Sequence, residues 1–333
     1  MVFNKTKAHK MVENISLIIP SRDAEERLLQ LLSCIPNWKM IPNEIIIIDS
    51  SENKLSIPKD FESFTKNLNI QLLIIHETNL YPGHARNIGI SKSKNPILAF
   101  LDTSTFPSNK WLYSGYNLMK NNNSVGVWGN TYYQAKAFPS KIFRACTFGC
   151  KPIKTFPGSI LNKNIFNICG LFIESVRAGE DGDWMSRVDL QKIRMSSPEE
   201  FLTYNELNTT SFKQLIKKWF RNYKHGAELP FYRAHKNYYY YGMSLVAVLV
   251  AFNWNRVIAA WDRESIFFIP NITTISAISI FTIYIILRGI ILPKKKGVNI
   301  RFLFPINFVF IVILSALLDF TKALAFAYSK FEK

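Results

Sequence analysis

The first two thirds of the chain alternate short apolar runs with segments of helical periodicity. Four apolar runs predict strands, at 14–20, 43–51, 70–77 and 95–102. Three segments between them predict helices, at 24–35, 61–68 and 83–94. Unbroken β-branched runs such as Ile45–Ile48 are typical of a parallel sheet with helices on both faces. After a tail over residues 1–12, residues 13–210 are therefore expected to form an α/β domain with a mainly parallel sheet.

Polar residues stand where each predicted strand ends. They are Ser21–Asp23, Asp49–Ser51, His76–Glu77 and Asp102. In parallel sheets, ligands bind at the carboxyl ends of the strands. The sequence thus predicts one polar cleft at this edge of the sheet.

The last third of the chain has a different pattern, because three long runs there contain no charged residue. They lie at 237–255, 265–287 and 302–318. As helices they would be roughly 25–35 Å long, close to the thickness of a bilayer core. We expect an all-α membrane region over 237–333 with about three spans, the third reaching about residue 323. The first run ends in Asn253–Arg256, so a buried amphipathic hairpin is the alternative there.

Just before these runs, residues 211–225 predict an amphipathic helix. Its apolar face carries Phe212, Leu215, Ile216, Trp219, Phe220 and Tyr223. Lysines and arginines occupy the other side, which suits the headgroup plane of an anionic membrane. We assign 211–236 to an interfacial segment; the alternative is a helix packed on the α/β domain.

The positive charge of the chain bears on its partners and on its topology. Lys and Arg number 41 against 24 Asp and Glu, which gives a net charge of +17 and favours an anionic partner. The stretches 213–236 and 288–301 are rich in Lys and Arg, and such loops stay cytoplasmic. This predicts three crossings, with the α/β domain cytoplasmic and the C-terminus outside. Because the basic residues concentrate beside the spans, no nucleic-acid partner is expected.

Several classes of protein lose support from composition and motifs. Apolar residues make up 48% of the chain, which excludes a disordered protein. The four cysteines contain no CxxC spacing, so neither a disulfide scaffold nor a four-ligand zinc site is expected. The motifs GxGxxG, GxxxxGK[ST], GxSxG and HExxH do not occur, which argues against dinucleotide oxidoreductases, P-loop NTPases, α/β-hydrolases and zinc proteases.

Four blocks in order resemble family 2 glycosyltransferases of the GT-A fold. They are ISLIIPSRD, EIIIIDSSE, PGHARNIGISKSKNPILAFLDTSTFPSNKWL and ICGLFIESVRAGEDGDWMSRV. The resemblance covers residues 13 to about 225. It implies inverting transfer of a sugar from a nucleotide-diphospho-sugar to a hydroxyl of a lipid-linked or membrane-proximal acceptor, as in cell-surface polysaccharide biosynthesis. The alternative is a non-catalytic nucleotide-sugar-binding membrane subunit.

The resemblance also implies a set of donor-binding residues. They are Pro20, Ser21, Arg22, Asp49, Ser51, Gly83, Arg86, Asn87, Asp102 and Ser104. Asp49 is suited to accept hydrogen bonds from a base or a ribose. Arg86 is expected to face the nucleotide or to brace Asp102; the alternative is a helix-surface charge.

In the family, the end of the fourth strand usually carries an Asp-x-Asp pair that holds a divalent metal on the diphosphate. Here the triplet is Asp102-Thr103-Ser104. Mg²⁺ or Mn²⁺ bound at Asp102 remains the expectation, with weaker affinity, because phosphate oxygens can supply further ligands. Alternatively, Thr103 and Ser104 bond the phosphate oxygens directly.

The block Glu180-Asp181-Gly182-Asp183-Trp184 resembles the family's acidic catalytic motif. Asp181 is the expected general base for the acceptor hydroxyl, and Glu180 is expected to orient the acceptor or the loop. Asp183 and Trp184 are placed on the acceptor side. The alternatives are a helix N-terminal role for Asp183 and a capping box for the whole cluster.

Overall fold

A computed structural model describes residues 11–205, 207, 211–229 and 238–331. Most of the predicted N-terminal tail, residues 206 and 208–210, the end of the predicted interfacial segment at 230–236, the first residue of the first predicted span and the last two residues lie outside this range.

The α/β domain follows the predicted order of strands and helices. Its strands are β1 Met11–Ser21, β2 Met40–Asp49, β3 Gln71–His76, β4 Ile97–Phe100, β5 Thr105–Phe106, β6 Gly126–Tyr133, β7 Ile153–Asn162, β8 Met195–Ser196 and β9 Leu202–Tyr204. Its helices are α1 Glu25–Cys34, α2 Lys59–Asn67, α3 Pro82–Lys92, α4 Trp111–Asn121, α5 Phe138–Cys146, α6 Ile165–Cys169, α7 Glu180–Leu190 and α8 Phe212–Gly226.

The nine strands form one mixed sheet in the order β3-β2-β1-β4-β7-β6-β9-β5, with β8 beside β6. The first four strands in this order are parallel, and β7 runs antiparallel to both β4 and β6. The register aligns Ser21 with Asp49, and Asp49 with His76. The polar strand ends therefore lie along one edge, as the sequence predicted.

Both faces of the sheet are buried, and the isoleucine run of β2 contributes side chains to the core on each face. Ile45 and Ile47 pack into the core on one face, whereas Ile46 and Ile48 pack into the core on the other. All four side chains have no exposed surface. Because successive strand residues point to opposite faces, a strand covered on both sides must be apolar throughout.

The C-terminal region is helical. Its helices are α9 Tyr238–Phe252, α10 Trp254–Val257, α11 Ile272–Ile286, α12 Leu292–Lys295, α13 Ile300–Leu303 and α14 Asn307–Phe331. A π-helical turn at Leu287–Ile291 joins α11 to α12, which makes Ile272–Lys295 one continuous helix. In the described residues, two helices are long and apolar enough to cross a membrane, Ile272–Lys295 and Asn307–Ser329. The first predicted run, 237–255, is represented by α9, which is 15 residues long.

The first long helix is displaced from its predicted bounds at both ends. It begins after Pro270, because Asn255 accepts a hydrogen bond from the Ile269 N–H and donates one to the Ile269 carbonyl, which holds this segment in a loop. It continues past Arg288, where the uncharged run ended. Arg288 donates to Asp319 of α14 at 2.7 Å, so the charge is paired between the helices.

Helix α8 forms as predicted, but its apolar face is covered. Leu215 lies in a core cluster with Leu314 and Leu318 of α14. Trp219 Nε1 donates to the Leu318 carbonyl at 3.2 Å. The side expected to lie among lipid headgroups therefore packs against the last helix. The extent of an interfacial segment over 211–236 stays a prediction.

Candidate active site

A polar cleft of about 530 Å³ opens at the carboxyl edge of the parallel strands. Its wall includes Pro20, Ser21 and Arg22 at the end of β1, and Asp102 and Ser104 after β4. Residues 177–181, which lead into α7, and helix α8 complete the wall. The Ser21 hydroxyl is buried and has no partner among the described residues. The cleft lies in the size range of small-molecule sites.

Arg86 of α3 joins the two acidic blocks of the sequence. Its guanidinium donates to Glu180 Oε1 at 2.6 Å and to Asp102 Oδ1 at 2.9 Å. The side chain is 4% exposed, whereas that of Asp102 is 35% exposed. Arg86 therefore braces Asp102, as one of the sequence alternatives expected, and is not a helix-surface charge.

The surroundings of Glu180 shift its pKa, and they do not all act in the same direction. Desolvation and the neighbouring Asp181 raise the pKa of Glu180 to about 7, while the Arg86 cation acts to lower it. The carboxyl group is nearly enclosed, and its Oε2 has no partner among the described residues. Glu180 is thus suited to hold Arg86 and the start of α7 in place.

Asp181 is half-buried in the first turn of α7, where its Oδ1 accepts the N–H of Gly182 at 2.7 Å. The helix begins after Gly179, which adopts a left-handed conformation at φ 90° and makes no side-chain cap. The acidic cluster is therefore not a capping box. Carboxylates at this end of a helix are stabilised by the helix dipole.

Asp181 also lines a second cavity, of about 250 Å³, which we call the aromatic cavity. Its aromatic lining consists of Phe143, Phe148, and Trp219 and Tyr223 of α8. Ala178, Gly179, Tyr204, Lys218 and Asn222 belong to its wall and to that of the polar cleft. Asp181 therefore stands where a polar and an apolar compartment meet.

Asp49 and Ser51 lie beside the cleft and not in its wall. Asp49 is fully buried and accepts hydrogen bonds from Ser51, from the Leu55 N–H and from His76. Burial opposes its ionisation, but these hydrogen bonds prevail and lower the pKa of Asp49. Ser51 in turn accepts the Asp23 N–H at 2.8 Å. In this structure both residues organise the loops behind Ser21, instead of presenting oxygens to the cleft as expected.

Gly83 and Asn87 also act from behind the wall. A Cβ at Gly83 would overlap the carbonyl oxygen of Ile173, so glycine allows α3 to approach the loop that precedes α7. Asn87 donates to the Phe172 carbonyl at 2.9 Å and accepts the Phe172 N–H at 3.0 Å. These two predicted donor-binding residues fix the loop that carries Glu180.

The expectation that Asp183 and Trp184 face the acceptor is corrected. Trp184 has no exposed surface, donates to the Gly170 carbonyl at 2.9 Å, and packs among aromatic side chains of the core. Asp183 is 3% exposed and pairs with Arg187 one helical turn later. In α7, positions 183 and 184 face the interior, whereas 181 faces the cavities.

The described residues hold no group of three His, Cys, Asp or Glu side chains placed to bind a metal ion. Asp102 is the one carboxylate of the predicted triplet, and it is paired with Arg86. Where the family has its second carboxylate, the Ser104 hydroxyl accepts a hydrogen bond from Arg27 at 3.1 Å. A guanidinium thus stands beside the expected metal position. These residues do not fit a divalent cation, which prefers carboxylate and other oxygen ligands.

Four basic residues that no motif in the sequence indicated also line the cleft. They are Arg27, Arg177, Lys218 and Arg221. The last two lie on α8, where their charge was attributed to anionic lipid. The sequence shows that Lys218 and Arg221 lie one helical turn apart. It does not show that this face of α8 lines the cleft. Arg27 belongs to no motif. Its place in the cleft becomes visible only in the fold, which brings α1 close to the residues after β4.

Comparison with known proteins agrees with this architecture. Residues 16–172 match the model of glycosyl transferase family 2. An uncharacterized glycosyltransferase of Haemophilus influenzae is 35% identical over 117 residues, which cover 35% of this chain and 46% of that protein. Glycosyltransferase AglE of Haloferax volcanii is 23% identical over 223 residues, covering 62% of this chain and 71% of that protein. The chain thus spans less than half of the first relative.

A solved structure shows that the likeness in fold extends beyond the matched residues. Mannosyltransferase PcManGT from Pyrobaculum calidifontis, in complex with GDP-Man and Mn²⁺, aligns with a TM-score of 0.53 at 12% identity. The alignment covers 98% of this chain and 92% of that one. The fold is a GT-A-like domain with a mixed, mostly parallel sheet, followed by C-terminal helices. Residues 16–172 belong to glycosyl transferase family 2.

Proposed function

We propose that the protein is a membrane-anchored, inverting glycosyltransferase that moves a sugar from a nucleotide-diphospho-sugar to a hydroxyl of a lipid-linked or membrane-proximal acceptor. The observation that carries the proposal is the position of Asp181 in the wall shared by the polar cleft and the aromatic cavity. A donor in the cleft and an acceptor in the cavity would meet at this carboxylate.

The polar cleft suits the donor because its wall combines positive charge with polar groups. A sugar diphosphate carries negative charge that increases on the leaving oxygen during transfer, and preorganised cations stabilise that charge. The family 2 match and the nucleotide-sugar ligand of the structural neighbour support this assignment.

The aromatic cavity suits an acceptor with an apolar portion. Trp219 and Tyr223 line it from α8. Helix α8 packs on α14, which is one of the two helices in the described part of the chain that are long enough to cross a membrane. A lipid-linked acceptor could reach the cavity along these helices without leaving an apolar environment. The same contacts favour this acceptor over a soluble one.

The proposed reaction needs one proton transfer. Asp181 accepts the proton of the acceptor hydroxyl as that oxygen bonds to the anomeric carbon. The bond from this carbon to the diphosphate breaks on the opposite face, and its electron pair leaves with the phosphate oxygen. A single in-line displacement inverts the anomeric centre. Glu180 and Arg86 position Asp102 and the start of α7.

We also propose that the catalytic domain is cytoplasmic, where nucleotide sugars are made, and that the C-terminal region crosses the membrane several times. Lys296 donates to the Thr147 carbonyl at 2.6 Å, so the basic stretch 288–301 contacts the α/β domain. This contact supports a topology that keeps both on one side. Helices α9 and α11 would then leave and return as a pair, joined by Ser276 donating to the Ala251 carbonyl.

A transfer assay tests the proposal against the alternative of a non-catalytic binding subunit. The purified full chain, in lipid nanodiscs, is incubated with a panel of radiolabelled nucleotide sugars and a total lipid extract. We expect label in the organic phase and stoichiometric release of nucleoside diphosphate. Nucleotide binding with neither product nor release for any donor would support the binding subunit instead.

A further inference from the structure

Arg27 lies in the wall of the polar cleft, although it belongs to no sequence motif. It lies in the first turn of α1, which starts four residues after β1 ends, and it reaches the end of β4. Its Nη1 donates to Ser104 Oγ at 3.1 Å, and both residues line the polar cleft. The hydroxyl at position 104 accepts one hydrogen bond from a guanidinium, and a guanidinium carries five N–H donors.

The side chains that line the cleft carry more positive than negative charge. Six basic side chains and four acidic ones line it. Asp102 and Glu180 are both engaged by Arg86, which is buried beneath them. Three further cations, Arg177, Lys218 and Arg221, share the wall with Arg27. A dianionic diphosphate complements this surface, whereas a divalent cation would meet like charge.

We propose that Arg27, oriented by Ser104, binds the diphosphate of the donor in the position where related enzymes carry a metal, so that donor binding is independent of divalent cations. The inference rests on the proposed function, because it specifies how that donor is held. During transfer, the electron pair of the broken glycosidic bond comes to rest on a phosphate oxygen. Arg27 stabilises that oxygen by charge-assisted hydrogen bonds.

Equilibrium binding tests the inference separately from catalysis. Isothermal titration of the full chain with UDP, GDP and inorganic pyrophosphate is run in EDTA and again in MgCl₂. We expect at least one of these probes to bind, with dissociation constants that agree within about twofold between the two buffers, since no carboxylate pair recruits the metal. Arg27→Gln should weaken binding about tenfold or more in both buffers, because charge-assisted contacts to phosphate are lost.

Three variants serve as controls. Lys217→Gln removes a charge from the exposed side of α8, outside the cleft wall, and should leave the dissociation constants unchanged. Ser104→Ala keeps Arg27 but removes its hydrogen-bond acceptor, and should weaken binding less than Arg27→Gln does. Ser104→Asp restores the family pair and should make binding depend on Mg²⁺.

The possible results separate the two proposals. Tight binding that requires Mg²⁺ would overturn the role of Arg27 and leave the proposed function standing. Unchanged binding by Arg27→Gln would also overturn it. If Arg27→Gln fails to fold, unchanged binding by Ser104→Ala, together with no response of Ser104→Asp to Mg²⁺, would overturn it. No binding of any probe in either buffer would overturn the proposed function itself.

Discussion

Replacing Arg86 by Met tests the network that joins the two acidic blocks. Met is close in length but offers no hydrogen-bond donor, so Glu180 and Asp102 lose the bonds they accept at 2.6 and 2.9 Å. The Glu180 side chain is 5% exposed, so water cannot replace the cation there. Removing one partner of a buried ion pair costs about 3–5 kcal/mol. For a domain of this size, that corresponds to a fall of about 10 °C in melting temperature.

The pH dependence distinguishes this mechanism from a simple packing defect. The pKa of folded Glu180 is about 7, above its ordinary value of 4.5. An acid whose pKa is raised by folding contributes stability below its unfolded pKa and loses it as the pH rises through the folded pKa. Without Arg86, the folded pKa of Glu180 should rise further. The deficit of Arg86→Met should therefore grow by about 1 kcal/mol between pH 5 and pH 8, since each pH unit above the wild-type pKa adds up to about 1.4 kcal/mol.

Thermal unfolding in detergent, followed by intrinsic fluorescence from pH 5 to 8, measures both effects. Adding Glu180→Gln to Arg86→Met should recover part of the melting temperature at pH 8, because no buried charge then remains at position 180. Arg86→Lys keeps the charge, but its single ammonium group cannot reach both carboxylates. Its melting temperature should therefore lie between those of wild type and Arg86→Met. A melting temperature of Arg86→Met within about 2 °C of wild type at pH 8, or a deficit independent of pH, would refute the reasoning.

Three other predictions follow from particular contacts. Gly83→Ala should destabilise the fold by about 1–3 kcal/mol, because the added Cβ overlaps a backbone carbonyl. Gly182→Ala is the control and should leave stability unchanged, because no atom lies within 4 Å of its added Cβ. Equal melting temperatures of the two variants would contradict this prediction. Trp219→Ala should raise the KM for the lipid acceptor about tenfold and leave nucleotide affinity unchanged; a matching loss of nucleotide binding would argue against separate compartments. In intact cells, a membrane-impermeant thiol reagent should label a cysteine at Glu264 but not one at Lys295, and the reverse pattern would overturn the proposed topology.

The sheet and its polar edge could be predicted from the sequence because their causes are local. The run Ile45–Ile48 is apolar throughout, which only a strand buried on both faces requires. The side chains of α7 were harder to assign. Asp181, Asp183 and Trp184 are close in sequence, yet only the packing of α7 on the core decides which of them faces the cavities.

The C-terminal region shows what charge counting misses. Arg288 ends an uncharged run, but its pairing with Asp319 allows the helix to continue to Lys295. Likewise, the apolar face of α8 indicated a covered surface but not the covering partner. That partner is α14, more than 80 residues later in the chain. Long-range pairings of this kind have no signature in a local window.

The most direct test of the account is the separation of transfer from donor binding at Asp181. Asp181→Asn removes the base and keeps the shape of the side chain, so the single-turnover rate of transfer to lipid acceptor should fall by about 10²–10⁴-fold. Nucleoside diphosphate should bind as in wild type. Asp189→Asn is the matched control, because Asp189 lies exposed on the same helix, where it pairs with Lys154. Transfer by Asp181→Asn at a rate comparable to that of Asp189→Asn would contradict the assignment of the catalytic base.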